Sequence, residues 1–323
     1  MRIRLKVSQL AITFCCVSRI AAQAPDDPPS YRLTESYVKE LARQNTLLFE
    51  LPVTIEGRTA SVHSPASDCE MHLAGTSGIK IGFPGKVIVE PPNLCRFKPP
   101  KSQGKSWGAV FDSRVLNKPC TAVGFPRLYA EHIKNGKPPA NPPHMVEVHP
   151  ALELRCGNSG TIDFSHFLTI VPGMGVIQAE SADQCIEGYK LWVRKNGSEY
   201  QFLEDRPGKC GNFAIVDAVV DPRYVRQVGG GHSAIAQVWA VDGRSHSLKL
   251  YTYSNTPEDA SIAAIGTSGN DEPSQTLPLH GLLTVDYFSV LKTVRDQSGT
   301  WLSVPEWTEI RFPLALVVFG KAQ

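Results

Sequence analysis

A mainly β protein is predicted: a small OB-like barrel, then a β-sandwich-like domain, with a short helix ahead of both. Three observations predict it. Short runs of alternating apolar and polar residues recur from Leu47 onward, the pattern of half-buried strands. The dipeptides Asn196-Gly197 and Asp242-Gly243 stand between such runs, where hairpins reverse. Prolines number 25 among 323 residues, which disfavours long helices and central strands. At 42 % hydrophobic residues, a chain of this length can bury a sizeable core.

The elements are expected in this order. Residues 1–22 read as a signal peptide: Arg2, Arg4 and Lys6 precede an apolar run from Val7 to Val17, and Ala21-Ala22 offers small residues for cleavage. That run is too short to span a bilayer, and no later stretch is long and apolar enough. Residues 23–47 form a proline-rich lead and a helix capped by Thr34 or Ser36, with Val38 and Leu41 inward. Residues 48–156 are the OB-like barrel: strands Phe49–Glu56, Thr59–His63, Met71–Ala74, Lys86–Glu90, Thr121–Tyr129 and Met145–Leu154, with a turn at Gly57. After the Gly157-Asn158-Ser159-Gly160 turn, residues 157–323 form the sandwich-like domain. Its hairpins are expected around Asn196-Gly197 (a type I′ turn), Asp242-Gly243 and Gln297-Ser298-Gly299. The last joins Leu282–Val294 to Trp301–Phe312, with Pro305 at an edge or bulge. Ser254–Gln275 reads as a long loop and Leu314–Phe319 as a terminal strand. No internal repeat is visible.

Removing Arg2, Arg4, Lys6 and Arg19 with the signal takes the chain from 33 basic and 31 acidic residues to 29 and 31, a net −2. No strongly basic patch remains, so specific nucleic-acid binding is not expected. Six cysteines also remain: Cys69, Cys95, Cys120, Cys156, Cys185 and Cys210. An even number in an exported chain implies disulfides, with 15 connectivities open. Sequence order favours Cys69–Cys95, Cys120–Cys156 and Cys185–Cys210. The last pair flanks the Asn196-Gly197 hairpin at nearly equal distances, and closing it would stabilise by roughly 3 kcal/mol. A periplasmic or secreted location follows.

Histidines and carboxylates gather in the first block. If extended, Asp68, Glu70 and His72 share one face, because strand side chains alternate. In His144-Met145-Val146-Glu147-Val148-His149, Glu147 and His149 share a face opposite Val146 and Val148. Flanking prolines forbid a helix, so this is not the helical His-Glu-x-x-His zinc motif. With Glu131 and His132 these residues make a candidate divalent-metal or acid/base cluster, since imidazole and carboxylate suit zinc, manganese or iron. The alternative is a hydrogen-bonded polar layer that fixes register.

The ordered set Asp68-x-Glu70-x-His72-x-Ala74, Val89-Glu90-Pro91-Pro92-Asn93, Gly124-x-x-Arg127-Leu128-Tyr129-x-Glu131-His132 and Asn141-Pro142-x-His144-x-x-Glu147-Val148-His149-Pro150 resembles a group of uncharacterised bacterial exported proteins. That group has an Asp-x-Asp-x-His strand and an Asn-Pro-x-His…Glu-[Ile/Val]-His-Pro strand. The resemblance covers about residues 48–156. Here Glu70 replaces the second Asp and Tyr129 a Trp. It implies the domain and no activity. An acidic strand in an OB barrel is also similar to the thermonuclease family, whose catalytic arginines have no clear counterparts here.

Other signals carry less. Gly229-Gly230-Gly231-His232 lacks the Gly-Lys-Ser/Thr of a phosphate loop and reads as a hairpin loop or link. No Gly-x-Ser-x-Gly elbow occurs, and paired cysteines leave no thiol nucleophile. Asn196-Gly197-Ser198 matches a glycosylation sequon but is explained by the turn. Trp107, Trp192, Trp239, Trp301 and Trp307 are expected to pack in the core or on sheet faces. No complete catalytic constellation is visible. The expected function is a non-catalytic binding or structural module of the periplasm or envelope, its partner an unknown ligand or envelope component. The alternative is a metal-dependent hydrolase using Asp68, Glu70, His72, Glu147 and His149.

Overall fold

The computed structural model describes residues 31–321 except 65–66, 84, 100–105, 134, 171–174, 209, 240–242 and 269–274. The expected signal segment lies outside the described residues. Strand β1 (Tyr31–Thr34) leads into helix α1 (Glu35–Gln44), whose cap Thr34 accepts from the Tyr37 amide. Tyr37, Val38, Leu41 and Ala42 form its buried stripe, as the helical spacing requires.

The first barrel contains β2 (Phe49–Arg58), β3 (Leu73–Ser77), and, after the two-residue β4 (Gly82–Phe83), β5 (Lys86–Val89). Helix α2 (Trp107–Arg114) precedes β6 (Pro119–Glu131) and β7 (His144–Arg155). The ring runs β5-β3-β2-β6-β7 and closes by parallel pairing of β5 with β7. This is the five-stranded Greek-key barrel the sequence predicts. Two details differ. Gly57 lies inside β2 at a bulge, not at a turn; a Cβ there would stand 2.6 Å from the Pro139 carbonyl oxygen. Thr59–His63 is not a strand. It is an irregular loop held by Thr59 N donating to His72 O and His63 N to Glu70 O.

Short strands β8 (Thr161–Asp163), β9 (Thr169–Ile170) and β10 (Val176–Ile177) follow, then helix α3 (Ala179–Gly188) and the hairpin β11 (Lys190–Asn196) and β12 (Glu199–Asp205). The hairpin pairs Asn196 with Glu199, so its loop is Gly197-Ser198 rather than Asn196-Gly197. Gly197 takes φ +60° and neither neighbour is positive, a II′-type turn instead of I′.

The second unit contains β13 (Phe213–Val220), β14 (Arg226–Val228), β15 (Gly231–Trp239) and β16 (Ser245–Tyr253). Then come α4 (Pro257–Thr267), β17 (Leu277–Val285), α5 (Tyr287–Val294), β18 (Thr308–Glu309) and β19 (Leu314–Lys321). Its main sheet closes through β13–β15, so the expected sandwich-like unit takes the form of a second five-stranded ring, β15-β13-β17-β19-β16. In both rings the first strand pairs with the second and fourth, and the third pairs parallel with the fifth. A helix separates third from fourth in each. The sequence shows no repeat; the topology does. β1, β4, β11, β12 and β18 make a separate small sheet.

Two expectations fail here. Ser254–Gln275 is not a loop throughout, because Thr256 caps α4 with Pro257 at its first position. The third hairpin shrinks to one antiparallel bridge, Arg295 with Trp301, around the expected turn: Asp286 caps α5 where a strand was expected, and the rest of Trp301–Phe312 contributes only β18, with Pro305 outside any strand. The Gly229-Gly230 pair is the loop of the β14–β15 hairpin. The three disulfides join Cys69 to Cys95, Cys120 to Cys156 and Cys185 to Cys210, which marks an oxidising compartment. No helix among the described residues is long and apolar enough to cross a membrane.

Candidate functional site: a buried histidine and carboxylate cluster

Alternation along β5 and β7 sends Val87, Val89, Val146 and Val148 into the core and turns Glu147 and His149 to the outer face. Pairing then builds a row across the sheet. Glu147 lies opposite Ile88 on β5 and Arg127 on β6. His72, just before β3, and Glu90, just after β5, join the row because Leu73 pairs with Val89. Glu70 reaches it from the loop that Cys69 ties to Cys95. The second barrel covers one side: Asn212 Oδ1 accepts from Arg127 Nη2 at 2.9 Å, and Phe213 packs edge-on to His149. Glu70, Glu90, Arg127, Glu147, His144 and His149 are all at most 2 % exposed.

The contacts are dense. His149 Nε2 lies 2.8 Å from Glu70 Oε1, and Nδ1 lies 2.6 Å from Glu90 Oε2. His72 Nε2 lies 2.8 Å from Glu90 Oε1. Arg127 Nη1 donates to Glu147 Oε2 at 2.9 Å and reaches His149 Nδ1 at 3.1 Å. His144 donates from Nδ1 to the Pro142 carbonyl at 2.9 Å, and its Nε2 meets Glu147 Oε1 at 3.0 Å. Glu131 Oε2 stands 3.8 Å from His144 Nε2 and 3.2 Å from His132 Nε2. Asp68 stays at the rim, bonded to His63 at 2.7 Å.

Electrostatics follow from these contacts. Burial pushes the Glu70 carboxyl up, to about 7, against the attraction of His149. Burial also opposes ionisation of Glu90, but His149 and His72 outweigh it and hold Glu90 well below the carboxylate range. Glu147 is opposed by burial and Glu90, yet Arg127 and His144 bring it to about 2. Burial lowers all three buried imidazoles, and their carboxylates more than reverse this: Glu90 takes His72 to about 10, Glu147 raises His144, and Glu70 with Glu90 raises His149.

An open cleft of about 390 Å³ lies before the row. Asp68, Glu90, Glu131, Glu147, His63, His72 and His132 line it with Tyr129, Asn141 and Asn212, and no lysine or arginine is among its lining residues. Beside it, the guanidinium groups of Arg127 and Arg206 lie 3.8 and 4.4 Å from the Tyr129 ring centre.

The structure thus brings together Glu70, His72, His144, Glu147 and His149, with Asp68, Glu131 and His132 at the rim. Among the described residues three His/carboxylate sets have metal-ligand spacing: Glu70, Glu90 and His149, and Glu131, His144 and Glu147, both in this site, and Asp183, Glu187 and His246 away from it. Glu90, Arg127 and Asn212 are the additions to the sequence-derived site. Glu90 was legible as the outward residue after inward Val87 and Val89. Arg127 was legible as a lone charge within a strand run. Asn212 comes from the other barrel and leaves no local signal. No family model, curated protein or solved structure matches the chain, so function rests on the site itself.

Proposed function

We propose that the protein is an exported, periplasmic or secreted binding module whose first-barrel cleft takes a cation. One observation carries this reading: the cleft presents four carboxylates and no basic side chain other than imidazole. Carboxylate oxygens and imidazole nitrogens turned into one hollow are the donor types that cations take. The three disulfides support the compartment. Every segment of the ordered motif set contributes to this one face, which supports reading that set as a single site. Calorimetric titration with calcium, manganese, zinc and an alkylamine tests it. At least one should bind, with affinity at least tenfold weaker in Glu131→Gln and lower at high salt. No binding of any of them at millimolar concentration overturns the reading.

A metal-dependent hydrolase is the second reading. His72 favours it, because this imidazole lines the cleft and Glu90, 2.8 Å from its Nε2, holds it in the protonated form that a general acid needs. Metal-stimulated ester or phosphoester hydrolysis lost in a folded His72→Gln protein would support it. Hydrolysis unchanged in that variant would exclude His72 as the acid.

A further inference from the structure

We infer that a first-row divalent metal ion of the zinc class is held behind the cleft by Glu70, Glu90 and His149. This deepens the cation-binding reading and rests on it, but it names a different place from the cleft mouth. Geometry comes first. One ligand atom from each of the three residues lies within 4.8 Å of the others, and all three are at most 2 % exposed. Glu70 Oε1 and His149 Nε2 are buried, 2.8 Å apart, and neither makes a hydrogen bond. A proton on Nε2 would need the oxygen in line with it. Two ligands of one cation instead stand side by side, which a 2.8 Å approach without hydrogen-bond alignment accommodates. Burying both without a partner would otherwise be costly.

Imidazole with carboxylates selects zinc, manganese or iron over calcium or magnesium. Burial of all three residues to 2 % exposure or less makes the ion a resident of the fold.

The test is metal content by mass spectrometry on untagged protein exported to an oxidising compartment. About one equivalent of zinc, manganese or iron should survive gel filtration. It should fall at least tenfold in Glu70→Gln and persist in Glu131→Gln. Loss in Glu131→Gln with retention in Glu70→Gln would overturn this placement and leave the cleft reading intact. Metal-free protein that takes up no zinc also overturns it, whether or not the cleft binds cations. If Glu70→Gln fails to fold, ¹⁵N NMR of His149 in the native protein decides. A metal-shifted Nε2 supports the site, and an imidazolium with two protons overturns it.

Discussion

Arg127 is fully enclosed on β6, with Glu147 on one side, Asn212 on another and the Tyr129 ring against its face. Removing it leaves Glu147 buried beside Glu90 with imidazoles alone to balance it. Arg127→Met should therefore destabilise by about 3–5 kcal/mol in urea unfolding. A loss below about 1 kcal/mol would mean that the imidazoles alone balance the carboxylates. At the rim, His63 titrates above its ordinary value because Asp68 bonds it, and Asp68 in turn titrates lower. The sign of each effect on stability is fixed. The His63 contribution is complete below about pH 6.5 and fades as pH rises through its raised value. The Asp68 contribution is complete above about pH 4 and fades as pH falls through its lowered value. In Asp68→Asn the His63 titration followed by NMR should move down toward its ordinary value; an unmoved curve refutes the pairing. Most residues of this cluster were legible, because strand alternation fixes which of Glu147 and Val148 faces out. Glu90 and Arg127 each stand out within their own segments, but their meeting with Glu147 and His149 comes from pairing across strands, which no single segment displays.

Among elements, β7 carries the site. Its inward valines and outward Glu147 and His149 are all buried, because the barrel core covers one face and the polar row with the second barrel covers the other. The loop before β3 has no ladder to hold it, and the Cys69–Cys95 bridge takes that part beside Glu70. Replacing both cysteines by serine should lower metal retention at least tenfold while the barrel's circular dichroism persists; unchanged retention would show that the loop's backbone bonds suffice. Replacing Cys120 and Cys156 should instead act on the unfolded chain, costing about 4 kcal/mol for a separation of 36 residues. The elements missed in the sequence have physical reasons. α2 and α4 mix small, polar and apolar residues without an apolar stripe, so periodicity is silent. Their caps, Ser106 and Thr256, were the usable signals. α5 is rich in aromatic and branched residues, which favour strands, and burial on several sides overrides that preference.

At the scale of the molecule, one ring order occurs twice with a helix at the same place in each. Long-range pairing of this kind is invisible to local patterning, whereas the strands composing it were mostly legible. Phe125 of β6 joins the units, its ring 5.8 Å from Tyr251 and 5.4 Å from Tyr287 of the second. Phe125→Ala should cost about 3–5 kcal/mol and split the calorimetric unfolding peak in two; a single peak at lower temperature would show that other contacts couple the barrels. Ring closure also governs how the protein behaves among its own copies. The sheet margins left open by the described strands belong to β4, β9, β10 and β18, of two residues each, and β8 and β14, of three. Templates that short give another chain little backbone to add to. A solution of this protein, its disulfides intact, should stay free of fibrils and amorphous β aggregates at concentrations where an open sheet of equal size would begin to seed them.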